Sequence, residues 1–157
     1  MPDSPRMRPF ARRSLTSGEI ALGKSVFGDE IDWARVRLAQ APRLGFGAMV
    51  PLGRTIVFSK WSAAEDFSAT SLYEQGWLVH ELTHVWQARR GVVLAAAKLN
   101  AVGSGAYAYA PRADALLRDY NIERQAEIAR HLFLARAGAA EEGQPDRKWL
   151  EAIWSGR

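Results

Sequence analysis

Leu78-Val-His-Glu-Leu-Thr-His-Val-Trp-Gln87 is the stretch on which the fold turns. From Leu72 to about Arg90 the apolar residues Leu72, Leu78, Val79, Leu82, Val85 and Trp86 recur at helical spacing, and Gly91 supplies a stop. On that helix His80 and His84 are four residues apart, one turn on the same face, so both imidazoles can reach one metal ion. Glu81 sits one residue round the cylinder, where its carboxylate reaches a water beside the metal instead. Such a ligand set, with one position left to water, matches catalytic zinc, and Zn2+ is the expected cofactor. The plainer reading is two histidines fallen four apart by chance on a solvated face. Against it, the chain has three histidines and two are here, among apolar neighbours where an idle imidazole would be costly.

A third ligand is required. His131 is one option, and Tyr120-Asn-Ile-Glu-Arg-Gln-Ala-Glu127 offers another. Glu123 and Glu127 are also four apart, and a helix there turns both the same way, along with Tyr120 and His131. In gluzincins a Glu from a second helix completes the site, and an acidic residue one turn on supports a histidine ligand from behind. Glu123 is therefore the expected ligand and Glu127 its supporter. A plain charged helix face beside Arg124 and Arg130 is the alternative. In a hydrolase, Glu81 would take the proton of the zinc-acidified water and pass it to the leaving amine. The oxyanion needs a donor, and Tyr107, Tyr109, Tyr120 and His131 are the candidates, each equally readable as packing or surface.

Outward from this core, Thr16-Ser-Gly-Glu19 carries capping-box features and predicts a helix over 17–27. Ile31 to Gln40 reads as a strand through Trp33, Val36 and Leu38. Leu44 to Val50 is irregular, and 51–54 is a turn before a short strand, Thr55-Ile-Val-Phe58. That strand serves either as a peptide-binding edge or as a core strand. Residues 61–71 read as a loop or short helical turn. A helix is expected from Val92 to at least Asn100, with a break near residues 103–105. Another long helix runs over Ala113–Ala137, then a polar linker, and Trp149, Ile153 and Trp154 mark a short helix packing back.

The 157 residues suit one domain, and a chain this long buries about two-thirds of its unfolded surface. The absence of cysteine excludes disulfides, thiolate metal sites and a cysteine nucleophile. The net charge of +4 owes much to Arg6, Arg8, Arg12 and Arg13. Residues 1–14 therefore read as a disordered basic tail, with 15–157 as the single domain. No apolar run is long enough to span a bilayer, and no signal peptide is expected. The compartment is read as cytoplasmic, with export by a machine that reads no N-terminal signal left open. Nucleic-acid binding through the tail ranks last, since no motif accompanies it.

Leu15-Thr-Ser-Gly-Glu-Ile-Ala-Leu22, Val26-Phe-Gly28, Ile31-Asp32, Val36-Arg37, Gly53-Arg-Thr-Ile-Val-Phe58 and Leu78 to Gln87 occur in that order. Together they resemble a bacterial family of HExxH zinc metallopeptidase domains associated with contractile injection systems, the Vgr-related and Rhs-associated proteins. The resemblance covers about residues 15–135 and stops near Ala137. It implies a gluzincin-like domain with His80 and His84 as ligands, Glu81 as base, Gln87 at the helix end and Glu123 within Asn-x-Glu-x-Gln-Ala. The interval after His84 is longer than in thermolysin-like enzymes, which places an extra helix between the two metal-bearing ones. The expected fold is α+β and mainly helical, a zincin-like domain with a small β-sheet and an HExxH active-site helix. The expected function is a zinc endopeptidase acting on a peptide or protein substrate. The competing one is a zinc-stabilised binding module of the same machinery; the intact Glu81 favours the enzyme.

Overall fold

A computed structural model describes residues 4–45, 47–103 and 105–157 of the chain. Among the described residues, five α-helices are the largest elements, α1 (Ser17–Phe27), α2 (Leu72–Arg89), α3 (Leu94–Leu99), α4 (Ile122–Arg136) and α5 (Arg147–Ser155). Four strands, β1 (Arg12–Ser14), β2 (Arg37–Ala41), β3 (Ala48–Met49) and β4 (Thr55–Ser59), form one mixed sheet in the order β1-β2-β4-β3. The α+β, mainly helical expectation therefore holds. None of the described helices is long and apolar enough to cross a membrane.

The sheet alternates as a half-buried surface should. Leu38 and Gln40 of β2, and Ile56 and Phe58 of β4, are buried with half-buried residues between them, and Ser59 at the end of β4 is buried as well. β2 and β4 run parallel, with Leu38 opposite Ile56, while β1 and β3 pair antiparallel on the two flanks. Thr55–Phe58 is thus an interior strand, and the edge on its far side is β3. The expected strand 31–40 is shorter at its start, because Trp33–Arg35 form a 3₁₀ turn. The Trp33 indole N–H donates to Gly28 O at 3.1 Å. Its ring lies against Gly23, where an added Cβ would come within 2.5 Å of it.

Residues 4–14 depart from the disordered tail expected of them, while 1–3 lie outside the described residues. Met7 is buried and its N–H donates to Ala63 O at 2.8 Å. Arg13 forms a two-pronged pair with the fully buried Glu19, at 2.7 Å for each prong. A short strand and a part-buried ion pair hold the segment, and neither is visible in its charge count.

α2 is the central element. Ser71 caps its N-terminus, and it is buried continuously from Leu78 to Gln87. It lies against β4 on one side and α4 on another. α4 begins later than the expected helix over 113–137, because Asn121 caps it by accepting the Arg124 N–H at 2.8 Å, and only a 3₁₀ turn (Leu117–Asp119) precedes it. That cap fixes the first turn, which holds Glu123. Asn121→Ala is expected to cost about 1 kcal/mol, measurable as a lower denaturation midpoint at unchanged slope. α5 closes the core as expected, with Trp154 edge-on to Phe27 and donating to Val26 O at 3.0 Å.

Candidate metal centre

Five polar side chains of α2, His80, Glu81, Thr83, His84 and Gln87, are buried, and each needs a partner. Thr83 donates back to Val79 O at 2.9 Å, the ordinary helical solution. His80 finds its partner on α4, and His84 finds one three residues further along α2. His80 Nδ1 lies 2.7 Å from Glu127 Oε1 and His84 Nδ1 lies 2.9 Å from Gln87 Oε1. Carboxylate and amide oxygens only accept, so both Nδ1 atoms carry the proton and both Nε2 lone pairs face inward. The Gln87 amide is fixed by its own donations to Ile122 O and Gln125 Oε1, both at 3.0 Å.

Inward, each Nε2 stands 3.2 Å from the same atom, Glu123 Oε2. With both imidazoles neutral, three acceptors converge with no donor among them, and His84 Nε2 is buried with no hydrogen-bond partner among the described residues. A cation resolves such a cluster. One proton does so partly. Burial opposes charge on His80, but its bonds to Glu123 and Glu127 outweigh that and raise it to about 9. Burial likewise favours a neutral Glu123, yet its contacts with His80 and His84, and with Lys98, hold it well below the usual carboxylate range. A divalent metal satisfies all three at once. His80, His84 and Glu123 bring ligand atoms within 4.8 Å of one another and could hold one.

Glu81 is beside this group, with Oε2 buried and unpartnered. Together with His80, His84 and Glu123 it lines a cavity of about 500 Å³. The aromatic wall is Phe58, Phe67, Trp61, Tyr73 and Trp77, and the β3 end contributes Gly47 and Ala48. Behind the site, Arg130 is buried, bonded to Glu127 Oε2 at 3.1 Å and to Glu141, with its guanidinium 5.0 Å from the Trp77 ring. It holds Glu127 in place against His80.

The structure separates the other candidates. Glu127 sits behind His80, its Oε1 2.7 Å from Nδ1. His131 is directed away, its Nδ1 2.7 Å from the Tyr109 hydroxyl. Burial and the Arg130 charge hold His131 below its ordinary range, although Glu127 and Glu141 oppose them. Tyr109 stacks with Trp149, and the Tyr120 hydroxyl donates to Ala110 O at 2.8 Å, so both are packed aromatics outside the cavity. Tyr120 also precedes α4 and never joins its face. Tyr107 alone of the tyrosine donor candidates lines the cavity, its ring 6.0 Å from that of His80. Burial, then the charges of Glu123, Glu81 and Glu127, push its hydroxyl upward, which keeps it a donor. Sequence reasoning missed Lys98, whose Nζ is 3.5 Å from Glu123 Oε1. Its sequence neighbours, Ala95-Ala-Ala97 and Leu99, give no sign of a function.

No family model matches the chain. Over an alignment of 135 positions that covers 80% of the chain, it is 38% identical to the type VI secretion system spike protein VgrG2b of Pseudomonas aeruginosa, and it spans 13% of that protein. Its structure is similar to the solved effector domain of Pseudomonas aeruginosa VgrG2b, with a TM-score of 0.74 and 34% identity. That similarity covers 96% of this chain and 86% of the other.

Proposed function

Because the chain belongs to the family of the VgrG2b effector domain, we propose that it is a zincin-type zinc peptidase delivered by a secretion system of that kind. The observation that carries this reading is the inward convergence of His80 Nε2, His84 Nε2 and Glu123 Oε2 beside an unpartnered Glu81 oxygen. These three residues would hold the ion, and the neutral-imidazole and carboxylate donor set is the one zinc hydrolases use. Bound zinc supplies Lewis acidity toward a carbonyl and toward water. Glu127 and Gln87 fix the tautomers that aim both imidazoles.

Glu81 Oε2 takes the proton of the attacking water and returns it to the amide nitrogen as the C–N bond breaks. Tyr107, protonated and facing the cavity, donates to the carbonyl oxygen as charge grows there. A peptide reaches these groups by adding antiparallel to the outer edge of β3, whose Ala48 lines the cavity. The aromatic wall then takes an apolar side chain. VgrG-type or Rhs-type spike proteins are the partners this reading implies, with export through their apparatus.

The test is zinc analysis with a broad peptide-cleavage assay. Wild type is expected to hold one zinc per chain and to cleave. His131→Ala should match it, because His131 is engaged with Tyr109 outside the metal group. A wild type without zinc sinks the proposal. Zinc without cleavage, where another zinc peptidase scores, selects the binding module.

A further inference from the structure

We infer that Lys98 is a positioning residue that confines Glu123 to coordination through one oxygen. This rests on His80, His84 and Glu123 being the metal ligands. The two oxygens of Glu123 have different neighbours. Oε2 lies 3.2 Å from both imidazole Nε2 atoms, whereas Oε1 lies 3.5 Å from Lys98 Nζ. The carboxylate is buried, so few other donors can reach Oε1. Lys98 is the single lysine or arginine among the described residues that line the cavity. It stands on α3, the short helix between the two ligand-bearing ones.

A carboxylate that turned both oxygens to the metal would fill the position a catalytic site leaves open for water or substrate. An ammonium group engaged on Oε1 opposes that turn, and its own charge repels the ion. Lys98 therefore keeps the centre open and slightly weakens its hold on zinc. Its side chain is 39% exposed, so the pair with Glu123 contributes little to folding.

That sign separates positioning from plain support. In Lys98→Met, zinc affinity from chelator competition is expected to rise by on the order of tenfold, opposite in sign to the loss of about 10–100-fold that follows removal of a supporting group. The visible bands of the cobalt(II)-loaded variant should weaken as a further oxygen enters. Lys98→Arg keeps the charge and should follow wild type in both measurements. Affinity that falls in Lys98→Met with an unchanged cobalt spectrum would show mere support and overturn the inference. So would a Lys98→Met variant indistinguishable from wild type. Failure of wild type to take up either metal overturns the metal-centre reading as well, and so is told apart from failure of the Lys98 inference alone.

Discussion

Glu81→Gln is expected to retain one zinc per chain and to lose about two to four orders of magnitude in kcat/KM. The two side chains are nearly equal in size, so the cavity wall keeps its shape. Oε2 has no hydrogen-bond partner among the described residues, and an amide there breaks no bond they make. The ligand atoms are fixed from elsewhere, by Glu127, Gln87 and the first turn of α4, so metal content should not change. What is lost is the ability to take a proton from water and return it to nitrogen. Activity within tenfold of wild type at full zinc would remove Glu81 from the role of base. Joint loss of zinc and activity would instead make it a support of the centre.

The same geometry shows which parts of the site are legible in a sequence. His80 and His84 are bound to one helix by periodicity, and their spacing fixes a shared face before anything is known of the neighbours. Glu123 and Glu127 are legible by the same rule, although α4 starts at Asn121 and not near Ala113. Local propensity across 113–120 is helical enough to suggest one long element. The N-cap, with its side chain satisfying the first turn, wins over that propensity. Lys98 and Tyr107 are not legible, because no period ties them to the metal helices. They meet Glu123 and His80 only after the segment between α2 and α4 has folded back. Tyr109 and His131 err in the opposite direction, since residue type suggests chemistry while their bond to each other removes both from the cavity.

The basic N-terminal segment carries the second large expectation, for it is a structural clamp that composition reads as a tail. Glu19→Ala should destabilise the chain by about 3–5 kcal/mol, because a fully buried carboxylate that takes four hydrogen bonds is removed, although its partner Arg13 is partly exposed. For a chain of this size that is a fall in midpoint of roughly 6–20 °C. Four donors converge on this carboxylate. Oε1 accepts from Phe67 N at 2.8 Å and Arg13 at 2.7 Å, and Oε2 accepts from Thr16 N at 2.8 Å and Arg13 at 2.7 Å. Glu19 is thereby the capping-box residue of α1, the anchor of β1, and the tie to the 3₁₀ turn whose Phe67 lines the cavity. Without it two backbone N–H groups are unpaired, and Arg13 keeps only the carbonyls of Ser14 and Ala64. Glu19→Gln should recover only part of the loss, because its NH2 group must face one of those donors. A midpoint within 2 °C of wild type for Glu19→Ala, on an unchanged denaturant slope, would mean that water replaces the whole network and that the clamp holds nothing.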